Sequence, residues 1–574
     1  MIVLWFAAIL VPMLVALAVV SRGAFQAAAL WLAPWTALPA LVLALLADAN
    51  SGYDFSWLML GTRMGLDVTG QVFLLAAALV WLAAGIFARD YLADDPRQTW
   101  FWFFFLLSMS GNLGLILVGD VVSFYLFFAL MTFAAYGVVV HDRGQAAFRA
   151  GRVYLTMAVA GEMCILAGML FTVWSAGSID LRIASAAVAD SPQRDLVIAL
   201  FLAGFGVKVG ALPLHMWLPL AHPVAPTPAS AVLSGCMLKA GLLGWVRFLP
   251  LGIESLPGWG QFIMAAGLVA AFFGVLAGLL QNDPKTLLAY SSVSQMGLIT
   301  LAIGVGFLGP DSWDLALVAV AVYVFHHSLA KGALFLGVGV AGAAGDSLWR
   351  RRAVLTGMAI AALTLAGAPL TSGALAKTAL KDATHTAHAP WADLLLTLSA
   401  IATTLLMARF LLLIRAQLAG NDSPKPFQLW IWLPWTGLVA LVGSVALLLP
   451  WYVDLEIAGP TAVTLAKVWS GLWPVLAGVA LFGGGGYLAR HFSVQSPLRI
   501  PPGDLIVPIE AIAGHKPDLT RFSSDVQSPR QLVVDVFHHR WLPLRQIEGG
   551  MAQWGNAGMF LMSMLIVFLL LLSL

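Results

Sequence analysis

The chain has 574 residues, 60% of them hydrophobic and 10% charged, with a formal net charge of +2 and a mean hydropathy of +0.90. Such a composition excludes a soluble globular domain and marks a polytopic membrane protein. The small net charge is spread along loops, which gives no basic surface for nucleic acid, and the two cysteines, Cys164 and Cys236, fall inside apolar runs as buried small hydrophobes rather than a disulfide or metal site.

About 16 apolar runs are long enough to span a bilayer. The first, 2–20, lacks a basic leading region and a small-residue cleavage site, so it reads as a retained span rather than a signal peptide. With 24–47 and 66–88 it makes an N-terminal group within 1–100. Five runs follow in 101–249, at 101–119, 121–141, 149–175, 195–215 and 227–249. Five more lie in 258–418, at 258–281, 286–307, 312–343, 353–381 and 391–418; the run 312–343 is long enough to tilt or to carry a break. Residues 428–490 add runs at 428–450 and 465–488, and the last run is 556–574. Between them lies the long polar segment 491–555, with "SPRQLVVDVFHHRWLPLRQIEGGM" near its end. It reads either as a surface link or as an amphipathic arm along the membrane or a partner. The expected fold is therefore an all-α polytopic membrane protein.

Placing the N-terminus outside puts nineteen of the thirty Lys and Arg residues in cytoplasmic loops and five (Arg63, Arg182, Arg194, Arg247 and Lys381) in outer loops. That bias sets the orientation, with 491–555 on the cytoplasmic side. The other six basic residues, Lys208, Lys239, Lys331, Lys377, Arg409 and Lys467, lie within spans, as do Glu162, His326 and His327. Arg409 and Lys467 are close enough to span ends to snorkel. The rest are central, where an ionisable group costs several kcal/mol, roughly 3 on insertion scales, unless it faces the bundle interior or water.

Lys208 precedes Gly210 and Pro213; Lys377 follows Pro369 and Gly373. Both runs read as discontinuous helices, the seventh and the twelfth, whose freed backbone groups need a cavity or buried protein. Their separation of five spans fits two inverted five-helix repeats, 101–249 and 258–418, with an ion path at mid-membrane. Lysine and histidine suit such a path because each can take up and release a proton. One central carboxylate is too few for four central lysines to be held as static ion pairs.

The stretch "GVKVGALPLHMWLPLAHPVAPTPASAVLSGCMLKAGLLG" (206–244) resembles the seventh and eighth spans of the antiporter-like membrane subunits, the family of Mrp cation/proton antiporters, respiratory complex I and membrane-bound hydrogenases. "NDPKTLLAYSSVSQMGLI" (282–299), "HHSLAKGALFL" (326–336) and "GAPLTSGALAKTALK" (367–381) are similar to that family's tenth, eleventh and twelfth spans, so the resemblance covers about 100–420. It implies proton transfer through two half-channels. Lys208 takes the place of the seventh-span lysine that pairs with a carboxylate, Lys239 that of the eighth-span lysine, His327 and Lys331 the eleventh-span relay, and Lys377 the twelfth-span terminal residue. The family's fifth span carries a glutamate, but "YLFFALMTFAAYG" (125–137) has Ala129 in its place. Glu162, one span later, is the expected replacement partner of Lys208; the alternative is a subunit that no longer conducts.

Secondary candidates for the path are His215, His222, His326, Lys381 and Asp382. His215 and His222 read equally well as structural histidines. His326 and His327 point in different directions on one helix, so only one of them is expected in the path. His385 and His388 are spaced like metal ligands but read as outer-loop residues. No flavin, Fe–S, haem or nucleotide motif occurs, so no cofactor or metal is expected, and any redox chemistry would belong to other subunits. The expected function is proton translocation, or cation/proton antiport with Na⁺, as part of a multi-subunit complex in a bacterial inner membrane. The alternatives are a structural docking subunit, or one coupling proton flow to another partner such as an inorganic-carbon uptake protein.

Overall fold

The computed structural model describes residues 1–55, 61–389, 391–421, 423–452, 465–491 and 500–506. Helix α1 (Ile2–Val19) opens the chain. The second apolar run divides into α2 (Ala24–Leu32) and α3 (Leu38–Leu46), joined by a 3-10 turn at Ala33–Trp35 where Pro34 has no N–H to give the helix. A hairpin of β1 (Ser51–Phe55) and β2 (Thr62–Leu66), pairing Tyr53 with Met64, is an addition to the expected all-helical chain. Arg63 on β2 ties it to the Asp180 carboxylate.

Six helices and helix fragments follow: α4 (Val68–Tyr91), α5 (Gln98–Leu117), α6 (Val121–Val139), α7 (Gln145–Ala176), the short α8 (Ala184–Asp190) and α9 (Arg194–Val209). The chain then breaks and resumes as α10 (Trp217–Val224). Next come α11 (Thr227–Val232), a π-helical turn at Leu233–Met237, and α12 (Leu238–Phe248). The remainder is α13 (Pro257–Leu279), α14 (Pro284–Gly306), α15 (Pro310–Ala343), α16 (Leu348–Ala366), α17 (Ser372–Thr386), α18 (Trp391–Ala419), α19 (Leu429–Tyr452) and α20 (Leu465–His491). Asp67, Asp120 and Asp283 start α4, α6 and α14 by accepting from the N–H groups of Gly70, Ser123 and Thr286, which would otherwise be orphaned at the helix ends.

The two expected breaks have one cause. Gly210 takes φ +75° at the end of α9, and Gly367 takes φ +88° at the end of α16. A left-handed residue ends a helix and is cheap only for glycine, and Pro213 and Pro369 keep either helix from resuming at once.

Among the described residues, twelve helical segments are long and apolar enough to cross a membrane, so this is an integral membrane protein. Of the expected spans outside that set, 195–215 and 353–381 are the two broken ones. Within 428–450 the stretch Leu429–Ser444 is a shorter apolar helix, and 556–574 lies outside the described residues. The run 312–343 is unbroken, as α15. Of 491–555 only 500–506 is described, so the amphipathic arm falls outside, as does the Lys467 side chain. Burial is uneven: the most apolar part of α14 is 100% buried and that of α1 39%. Lys239, His326, His327 and Lys331 sit on enclosed helices, whereas Glu162 is a buried residue on α7, whose most apolar part is 44% buried.

Candidate functional site

Glu162, Lys208, Lys239, His327, Lys331 and Lys377 are all between 0 and 8% exposed. None faces lipid, so each must find its polar partners inside the protein.

Helices α7 and α9 meet through glycine. A Cβ at Gly161 would come within 3.0 Å of Gly204 O, and one at Gly204 within 2.8 Å of Gly161 O. The two backbones can approach this closely only because neither residue has a side chain. Glu162 follows the first glycine directly, and Lys208 lies one turn beyond the second. Both line a cavity with Phe128, Thr132, Tyr154 and Trp217 that leaves about 10 Å³ for water centres, the threshold for one water. Lys208 Nζ donates to the Tyr154 hydroxyl at 3.1 Å and lies 5.4 Å from the centre of its ring. Tyr154 in turn donates to Thr132 O at 2.8 Å. Neither Glu162 oxygen has a hydrogen-bond partner, and the Thr132 hydroxyl beside it is out of hydrogen-bond geometry. Two unpaired carboxylate oxygens, a free hydroxyl and an amine around a one-water cavity are the surroundings in which a bridging water forms.

The other lysines bind backbone instead. Ser234 lies in the π-turn, and Lys239 Nζ donates to its carbonyl at 2.5 Å. Lys239 also lines a second cavity, again about 10 Å³, with Asn112, Cys236 and Ser328. Lys331 Nζ donates to Leu288 O at 2.9 Å. Lys377 Nζ donates at 2.6 Å to Ala366 O, the carbonyl at the end of α16 beside Gly367. A lysine amine donates whether charged or neutral, so a carbonyl holds it in either state.

His327 is within electrostatic reach of Lys239 and Lys331, and both its ring nitrogens are buried without partners. His326 Nδ1 bonds Ser372 Oγ at 2.9 Å and lies within reach of Lys377. The two histidines thus diverge, as their adjacency requires. Lys381 follows Lys377 on α17 and donates to Thr397 Oγ1 at 2.9 Å; Asp382 is its half-buried neighbour. His222 stacks on Phe335 at 4.4 Å, with neither nitrogen paired. His385 pairs with Asp393 at 2.6 Å, and among the described residues no cluster of His, Cys, Asp and Glu is placed to hold a metal ion.

The structure thus brings Glu162 and Lys208 to one cavity and sets Lys239, His327 and Lys331 within electrostatic reach of one another, while Lys377 lies within reach of His326 rather than His327. Among the described residues no hydrogen bond joins Lys208 to Lys239, and the two line different cavities. Four participants were not foreseen. Thr132 and Tyr154 complete the Lys208 cavity, and Asp504 and Tyr290 surround His215. Tyr154 had one usable signal, a phenol inside an apolar run. Asp504 had none.

Two helices broken at glycine, with Lys208 and Lys377 buried beside the breaks and the buried Glu162 lining the Lys208 cavity, define an antiporter-like membrane subunit. The family description "NADH:quinone oxidoreductase/Mrp antiporter, TM" matches residues 118–405, half of the chain, and the chain belongs to that family. It is 31% identical to hydrogenase-4 component B of Escherichia coli (strain K12) over 48% of this chain and 42% of that one. It is likewise 31% identical to NADH-quinone oxidoreductase subunit N of Desulforudis audaxviator over 57% of this chain and 67% of that one. A probable K(+)/H(+) antiporter component of Rhizobium meliloti is 30% identical over 57% and 33%. The chain therefore spans less than half the length of the hydrogenase component and a third of the K(+)/H(+) antiporter component. In fold it is similar to the Mrp complex from Dietzia sp. DQ12-45-1b, with TM-score 0.71, 22% identity and coverage of 95% of this chain and 62% of that one. It is also similar to the membrane-bound sulfane sulfur reductase, an archaeal respiratory membrane complex, with TM-score 0.68, 21% identity and coverage of 100% and 99%.

Proposed function

We propose that this chain is a proton-translocating membrane subunit, and that it works within a larger membrane complex, as the subunits and components it resembles are named for doing. The path runs from Glu162 and Lys208 through Lys239, His327 and Lys331 to Lys377, in two five-helix halves, 101–249 and 258–418. The observation that carries this reading is the one-water cavity holding Glu162 and Lys208 with both carboxylate oxygens unpaired. The family glutamate's place holds Ala129, and α7 supplies a carboxylate to the same lysine instead. Transfer of a proton from Lys208 to Glu162 turns a charged pair into a neutral pair, so the step leaves no isolated charge in the low-dielectric interior. Exchange of H⁺ for Na⁺ would use the same carboxylate.

Ala129 favours a second reading, a docking subunit without conduction. One comparison separates the two: proton flux into proteoliposomes holding the whole complex, wild type against Glu162→Gln. Flux lower by at least about tenfold with the complex intact supports the path. Unchanged flux removes Glu162 from it. A wild-type complex that passes no protons leaves the docking reading.

A further inference from the structure

A carboxylate from beyond the family-matched region enters the break after α9. Asp504 Oδ2 accepts from His215 Nε2 at 2.8 Å and from the Tyr290 hydroxyl at 2.8 Å. The three residues come from distant places: the link between α9 and α10, the first turns of α14, and the segment following α20. The contact is not a surface encounter. His215 and Tyr290 are fully buried, and the Asp504 side chain is 7% exposed. Ile500 ties down the same segment, its carbonyl accepting from Gln281 Nε2 at 3.0 Å.

Two features set Asp504 apart from an ordinary clamp. Its backbone takes φ +29°, a left-handed conformation that persists in a non-glycine residue only where the surroundings hold it. The Leu505 N–H, which donates to Asp504 Oδ1, and the bonds from His215 and Tyr290 do the holding. Second, His215 Nδ1 is buried with no hydrogen-bond partner. Burial would raise the Asp504 carboxyl, but the His215 hydrogen bond and charge, with Leu505 N–H and Tyr290, outweigh it and keep the group below the usual carboxylate value. Asp504 is therefore an acceptor only, so the proton of a neutral His215 sits on Nε2 and the lone pair on Nδ1.

We propose that Asp504 is a positioning residue of the proton path: it locks His215 in the Nε2–H tautomer and so makes buried Nδ1 the proton-accepting atom in the break after α9. His215 takes up a proton at Nδ1 and becomes an imidazolium balanced by the Asp504 carboxylate. It gives that proton to the next acceptor and returns to the neutral tautomer, with no other bond changed. The segment after α20, outside the family-matched core, thereby supplies part of the path.

This inference rests on the conducting reading above, and one set of variants tests the two separately. Asp504→Asn, Asp504→Glu, His215→Gln and the double variant Asp504→Asn/His215→Gln are each measured for proton flux in the reconstituted complex, with the intact complex checked by size. Asp504→Asn and His215→Gln should each cut flux by about tenfold. The double variant should be no slower than either single one, because Asp504 acts through His215. Asp504→Glu should recover most of the flux, which loss of a mere clamp would not require. Conducting wild type with unchanged Asp504→Asn flux overturns this inference alone. So does a further loss from Asp504→Asn when His215 is already Gln, or failure of Asp504→Asn to assemble. A wild-type complex without flux overturns both readings.

Discussion

Lys208 and Lys331 are equally buried amines handled in opposite ways. Lys208 shares a cavity with a carboxylate and rests on a phenol. Lys331 has neither and rests on a backbone carbonyl. The first arrangement couples two titrating groups, so the proton state of one sets that of the other. The second holds the amine in place without choosing its charge. In the proposed path the α7–α9 contact is the place to store and switch, and the lysines on α12, α15 and α17 are the ones to pass protons on.

The largest break in this comparison should come from Lys208→Met. It leaves Glu162 buried without its counter-charge, a loss of about 3–5 kcal/mol if the carboxylate stays ionised. Adding Glu162→Gln should return most of that stability, and thermal unfolding of the purified complex reads the difference as a double-mutant cycle. Equal stability of the single and double variants would mean that the pair is not coupled.

A smaller effect is expected from moving the carboxylate back to the family's position. Ala129 lies on α6 one turn before Thr132, which lines the Lys208 cavity. Glu162→Ala should lower proton flux by at least about tenfold, and Glu162→Ala/Ala129→Glu should recover a good part of it. Recovery would show that the lysine needs a carboxylate at its cavity and not one particular helix to supply it. Flux no better than that of Glu162→Ala would tie the function to α7.

Much of this site was legible because the membrane makes polar residues conspicuous. Lys208, Lys239, Lys331 and Lys377 stand out as charges in apolar runs, and Gly210 with Pro213 and Gly367 with Pro369 announce the two breaks. Glu162 stands out in the same way, and its pairing with Lys208 follows from an absence, the alanine at 129. The lysines' real partners were hidden for a physical reason: Ser234, Leu288 and Ala366 contribute carbonyls, and a carbonyl has no residue identity. The π-turn at Leu233–Met237 likewise has no motif of its own. Asp504 could not be placed because it meets His215 across 289 positions, through a loop with no periodicity. The β1–β2 hairpin was missed because strands of five residues are too short for alternation to stand out beside long apolar helices.

The smallest effect separates two lysines within the passing line. Both Lys331 and Lys377 hold carbonyls, but the carbonyls differ. Leu288 O lies inside α14 and also accepts from the Ser292 hydroxyl at 3.0 Å. Ala366 O is at the end of α16, where the helix supplies no further N–H, and the Lys377 amine satisfies it. Removing the amine therefore orphans one carbonyl and not the other. Lys377→Met should cost about 1–3 kcal/mol, the penalty of an unpaired buried acceptor. Lys331→Met should change stability by less than about 1 kcal/mol, since a methionine of similar length fills the space and no acceptor is left bare. Thermal unfolding of the two purified complexes gives the comparison. A Lys331→Met loss as large as that of Lys377→Met would mean that the α15 lysine is structural glue after all. A small one, together with lost proton flux, would mean that a costly buried amine is kept for the proton it carries.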